Sequence, residues 1–162
     1  MLKPRFIDLP AFKAVGLKGN FDKSTRQQIG DLWEQFNNLD IAIPGAWTDR
    51  AYGICLPPMN PDGPFDYYTA LQVSDDCEIP EGLVAVDVPA QYYAVFTHKL
   101  DNPDVSESLY PTIRYIWDMW LPASNYDYTG GPDFELYDDR FVVDDATGPE
   151  GEFDIYVPVR AK

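Results

Sequence analysis

Asp87-Val88-Pro89-Ala90, running on to Ala94-Val95, repeats Asp8-Leu9-Pro10-Ala11, which runs on to Ala14-Val15. Further on, Ile113, Ile116, Trp117 and Trp120 stand at a constant offset of 84 from Ile29, Leu32, Trp33 and Phe36. Last, Phe153-Asp154-Ile155-Tyr156 answers Phe65-Asp66-Tyr67-Tyr68. The three matches come in one order, at offsets that drift only from 79 to 88, as expected of a chain built from two similar units.

Each unit reads alike. A β-rich run follows the Pro-Ala turn, over 12–19 and over 91–99. A helix comes next. Ser24 with Gln27 has the spacing of a capping box, and residues 29, 32, 33 and 36 share one apolar face. Asp104 with Glu107 repeats the signal ahead of the 113–120 face, and Pro122 is the expected stop. Pro111 belongs in a first helical turn, where a missing N–H costs little, so this helix is expected to start nearer Ser108. Two strands close each unit, at 50–56 and 65–74, then at 133–142 and 152–159. Turn-rich segments separate them, Pro57 to Pro64 and Ala146 to Gly151. The fold class expected is α+β: a tandem, pseudo-twofold repeat of β-α-β-β units, with an antiparallel sheet and two helices, and a pocket where the two halves meet. One domain spans 1–162, with half-repeats at about 1–78 and 79–162.

Composition narrows the function. The 162 residues are 45% hydrophobic, enough for a sizeable core, and the net charge is −15. A chain with 12 unclustered basic residues is a poor match for the polyanionic DNA backbone, so no direct nucleic-acid binding is expected. No apolar run has the length of a membrane span and the first residues lack a signal-peptide pattern, so a soluble cytoplasmic protein is expected. Two cysteines, Cys55 and Cys77, and one histidine, His98, do not make a zinc site. Neither a metal nor a cofactor is expected. His98 lies in an alternating run and reads as a strand residue near an edge. Asp75-Asp76, Asp138-Asp139 and Asp144-Asp145 lack calcium-loop spacing and read as solvated loops. The aromatic share, 15% with 11 Tyr and 4 Trp, exceeds what the core needs. Tyr and Trp suit a pocket that is apolar in body and polar at the tip.

Trp117-Asp118-Met119-Trp120-Leu121-Pro122-Ala123-Ser124-Asn125-Tyr126, followed by Pro132-Asp133-Phe134-Glu135-Leu136-Tyr137, resembles the signature of the GyrI-like small-molecule-binding domain. The Tyr92–Phe96 run and the Ile155–Val159 run resemble that family's strands, so the likeness covers nearly the whole chain. It implies effector-binding domains of AraC-type and MerR-type multidrug-sensing regulators, with a ligand between the helices and Glu135 as the pocket acid. No helix-turn-helix accompanies the chain, which suggests a stand-alone binder or the partner of a separate regulator. The family also implies two alternatives: a hydrolase of cyclopropane-bearing electrophiles, and a gyrase-inhibitor-type interaction protein.

Alternation places Glu135 and Tyr137 on one face of a strand and Phe134 and Leu136 on the other. A lone buried carboxylate is costly unless protonated, hydrogen-bonded by tyrosines or met by a cation. An aromatic-walled pocket over Glu135 would therefore suit a small, aromatic, cationic organic ligand. Otherwise Glu135 is a strand residue facing solvent. Trp33, Trp117 and Trp120 are either pocket walls or helix-to-sheet packing. Tyr52, Tyr68, Tyr137 and Tyr156 are favoured as pocket walls, with Tyr110 as a further candidate.

Overall fold

The computed structural model describes residues 2–57 and 63–162. Arg5–Leu9 (β1) and Phe12–Phe21 (β2) precede a 3-10 turn, Arg26–Gln28, and helix α1, Ile29–Asn37. Ala51–Leu56 (β3), Phe65–Val73 (β4), Val84–Val88 (β5) and Gln91–Lys99 (β6) follow. Helix α2, Val105–Tyr115, continues through a π-helical turn, Ile116–Trp120, into a last α-turn, Leu121–Ala123. Tyr126–Tyr128 (β7), Asp133–Tyr137 (β8), Phe141–Asp144 (β9) and Gly148–Ala161 (β10) complete the chain. The expected turn at Pro57–Pro64 falls largely outside the described residues.

All ladders among these strands are antiparallel, in the order β1-β6-β10-β8-β3-β4-β2-β5, with β7 and β9 also paired to β10. The α+β class and the two helices flanking a groove are as the sequence suggested. Exchanging β1, β2, β3 and β4 for β5, β6, β8 and β10 reverses this order onto itself. That symmetry belongs to the connections; the sequence duplication stays an expectation of the sequence.

Both helices lie on one face of the sheet. Leu32 of α1 packs with Phe21 and Tyr67, while Ile113, Ile116 and Trp117 pack against Phe96, Phe153, Ile155 and Val157. On the other face, Ile7, Leu9, Val86 and Val88 from the end strands share one cluster with Ile54 and Phe134 from the central strands. The sheet is therefore coiled until its ends cover its centre, which seals that face without a helix. Tyr93 and Phe134 within it are 0% and 1% exposed.

Several local expectations are corrected. Ser24 does not cap the first helix; Asp22 Oδ1 accepts from the N–H groups of Ser24 (2.8 Å) and Thr25 (3.1 Å) instead. Asp104 caps the second as expected, accepting from the Glu107 N–H at 3.1 Å. That cap starts α2 at Val105, so Pro111 lies inside the helix rather than in its first turn. Glu107 and Pro111 are both exposed, so water can reach the carbonyl that Pro111 leaves without a donor. The strand expected at 133–142 breaks after Tyr137, where Arg140 turns back to bond Asp138 and Asp154. His98 lies on β6 beyond the end of the β1 ladder, which stops at Val95, so it is near an edge as expected, but the residue is buried, at 5% exposed. It bonds Ser108 (2.8 Å) and Thr112 (2.9 Å) of α2, and burial lowers its pKa.

Candidate functional site

Between the two helices lies an open cavity of about 2290 Å³, floored by β3, β4 and β8. Strand alternation decides the floor. Asp133, Glu135 and Tyr137 of β8 face it, together with Cys55 of β3 and Tyr67 of β4. Trp33 and Phe36 come from α1; Leu109, Tyr110, Ile113 and Trp117 come from α2.

Glu135 is held by two phenols. The hydroxyls of Tyr67 (3.0 Å) and Tyr137 (2.9 Å) both donate to its Oε1. Trp33 Nε1 donates to the Tyr67 oxygen at 3.1 Å, so a chain of donors runs from helix α1 to the carboxylate. Among the described residues no donor bonds Oε2 and no cationic side chain pairs with Glu135. Burial raises the Glu135 pKa against the lowering effects of the two tyrosines and of the Arg26 charge. Burial also raises both phenols well above their usual range, so they stay protonated donors. Opposite Glu135 on β3 stands Gly53. A Cβ there would fall 2.0 Å from the Tyr67 hydroxyl and 3.3 Å from Glu135 Oε1. The missing side chain is what lets the phenol reach the acid.

Asp133 is the second acid. Burial, then the charge of Glu135, pushes its pKa up to about 7. Its own backbone N–H is the donor that reaches it. Asp154 shows how this chain treats a structural buried carboxylate. It is 2% exposed and receives Arg140 (2.8 Å), Arg5 (2.7 Å) and Thr97 (2.7 Å), and these bonds outweigh burial and lower its pKa. Among the described residues neither groove acid makes an ion pair of this kind; Arg26, which lines the groove, acts on Glu135 only through its charge, so the carboxylates remain open to a further cation.

This has a sign in the stability curve. A carboxyl whose folded pKa is raised favours the fold below its ordinary value, and the benefit is lost as pH rises through the folded value. For Asp133 the window runs from 3.8 to about 7. Asp154, with a lowered pKa, acts below that window, and His98, held neutral by burial, tilts the curve the other way below 6.5. Asp133→Asn should therefore lift the ligand-free melting temperature at about pH 7 more than at about pH 4. Differential scanning calorimetry at both pH values reads this; an equal shift at the two would refute it.

Of the residues singled out in the sequence, the structure brings Glu135, Tyr137, Trp33, Trp117 and Tyr110 to the groove. It places Tyr52, Tyr68 and Tyr156 elsewhere, in the buried cluster on the opposite face. The Tyr52 hydroxyl donates to Gln72 Oε1 (2.9 Å), and Tyr156 stacks on Phe134 at 4.6 Å. Trp120 packs on Phe96 at 5.1 Å and Tyr126 at 6.4 Å, away from the groove lining. The π-turn explains the split of Trp117 from Trp120, because it changes the angle per residue that put both on one α-helical face. Tyr67, Asp133 and Tyr128 were not singled out. Asp133 could have been found from Glu135 by the same alternation, two residues earlier.

The model of the family described as Cass2, integron-associated effector binding protein, matches residues 5–159. The chain is 36% identical over 156 residues to the transcriptional regulator BrlR of Pseudomonas aeruginosa, covering 96% of this chain. It spans 54%, about half, of that relative's length. It is 28% identical over 120 residues to a DNA gyrase inhibitor of Erwinia billingiae, covering 72% of this chain and 71% of the relative. The solved structure of SAV2435 bound to tetraphenylphosphonium superposes with a TM-score of 0.65 at 20% identity, covering 98% of this chain and 94% of that one. At that identity the likeness is one of fold.

Proposed function

The chain belongs to the family of integron-associated effector-binding proteins, and from that premise we propose that its groove binds a small, hydrophobic, aromatic organic cation with Glu135 as counter-ion. One observation carries this reading. A carboxylate sits in an aromatic groove, both tyrosine donors fall on one of its oxygens, and no basic side chain among the described residues is paired with it. A guest cation would meet the Oε2 atom and the faces of Trp33, Tyr137 and Trp117, each ring adding ~0.5–2 kcal/mol as water is displaced. The bound tetraphenylphosphonium of the fold relative, a cation of this type, supports the choice.

Tetraphenylphosphonium and tetraphenylborate share a shape and differ in the sign of their charge. The cation should raise the melting temperature of the protein and the anion should not. Equal responses to the two would mean that the groove selects for shape, and the role given to Glu135 would be lost.

The relative named a DNA gyrase inhibitor supports a second reading, in which the acidic surface contacts gyrase. That activity would persist in Glu135→Gln, which separates it from ligand binding. Action beside a transcription regulator is a further proposal, supported by the likeness to BrlR.

A further inference from the structure

The groove acids are separable. Glu135 is enclosed by Tyr67, Tyr137 and Trp33, with the rings of Trp33 and Tyr137 edge-to-face at 5.3 Å. Asp133 lies beside another aromatic corner, Trp117 and Tyr128, edge-to-face at 4.8 Å. Burial raises the Tyr128 phenol, and the charge of Asp133 is near enough to add to it.

Its neighbours have no donor left for it. The Tyr128 hydroxyl donates to the Gly131 carbonyl at 2.7 Å, and the Cys55 thiol is directed to the Leu56 carbonyl at 3.9 Å. The Tyr67 and Tyr137 hydroxyls are committed to Glu135. The two acids are two residues apart on one face of β8, so their side chains leave the strand about 7 Å apart. The cavity, at about 2290 Å³, has room for a guest that reaches both.

We propose that the groove is a two-centre site, selective for flat aromatic dications whose positive centres lie about 7 Å apart, one over Glu135 and one over Asp133. The proposal rests on the cation-binding reading and adds to it the class of ligand. Asp133 is the residue that distinguishes a dication from a monocation of the same outline.

The test uses two probes of nearly one shape: N,N′-dimethyl-4,4′-bipyridinium, with two charges, and N-methyl-4-phenylpyridinium, with one. Titration calorimetry at about pH 8 is run in about 0.15 M salt, which screens the distant charges of an acidic protein. The dication should bind roughly tenfold more tightly than the monocation. Asp133→Asn should bring the ratio near one, whereas Glu135→Gln should weaken both probes. In the wild-type protein the ratio should also shrink at about pH 6, where Asp133 takes up its proton. This arm does not depend on how the variants fold.

A wild-type ratio near one at about pH 8 overturns the proposal, as does a ratio that survives in a folded Asp133→Asn. If tetraphenylphosphonium still stabilises the protein through Glu135 in that case, only the two-centre site is lost. If neither pyridinium nor tetraphenylphosphonium binds, the cation-binding reading falls as well.

Discussion

Glu135→Gln should weaken tetraphenylphosphonium binding roughly 30- to 100-fold while making the ligand-free protein more stable near neutral pH. The first effect is the loss of a charge about 5 Å from the cation, ~3 kcal/mol at an effective dielectric constant near 20, less what it costs to take the carboxylate out of water. The second follows from the raised pKa. As pH rises past the ordinary carboxylate range, ionising Glu135 in the folded state works against burial, and the amide removes that cost. Gln keeps an oxygen that can accept from Tyr67 and Tyr137, so the donor chain from Trp33 need not break. Calorimetric titration and thermal unfolding read the two effects separately. An affinity within twofold of wild type would remove Glu135 from the binding site. A lower ligand-free melting temperature would mean that the ionised acid holds the fold together.

Gly53→Ala should produce the largest loss of stability among the groove substitutions, roughly 3 kcal/mol, or about 6–12 °C in melting temperature for a chain of this size. The added methyl would lie 2.0 Å from the Tyr67 hydroxyl and 2.8 Å from its ring carbon Cζ. Tyr67 has little room to yield, being 3% exposed and packed in one cluster with Phe21 and Leu32. Displacing it also breaks the bonds to Trp33 and Glu135. Tyr67→Phe in the Gly53→Ala background removes the worst overlap and should recover part of the loss, which makes the pair non-additive. Thermal unfolding of the two single variants and the double variant completes the cycle. Gly53→Ala as stable as wild type would show that the phenol moves freely.

The sequence carried the strands and helices well where patterns are local. The β2 and β6 strands, the α1 face and the Asp104 cap all follow from spacing. So does the placement of Glu135 with Tyr137. Which tyrosines join them does not. Alternation sorts a strand's residues into two faces but does not say which face carries the helices. Cross-strand register supplies that: Tyr52 stands opposite Leu136 and Tyr156 opposite Phe134, so both share the face turned away from Glu135. Gly53 stands opposite Glu135, and Cys55 opposite Tyr67, which puts Tyr67 in the groove. A pairing between residues so distant in sequence leaves no trace in either strand alone. The Trp117–Trp120 split was hidden for another reason, since a π-turn obeys neither the helix nor the strand period.

The order of the strands also bears on how the chain assembles. β1, from the first half, is hydrogen-bonded to β6 of the second, and β5, from the second, to β2 of the first. Each half thus lends a strand to the other, and the β3–β8 ladder under the groove joins them again. Arg5 must find Val95, and Ala51 must find Tyr137, before these ladders return anything for the chain entropy lost in closing such long loops. Contacts of that span put the protein among slow-folding topologies. They also make the groove depend on that search: its floor is complete only when β3 and β8 have paired.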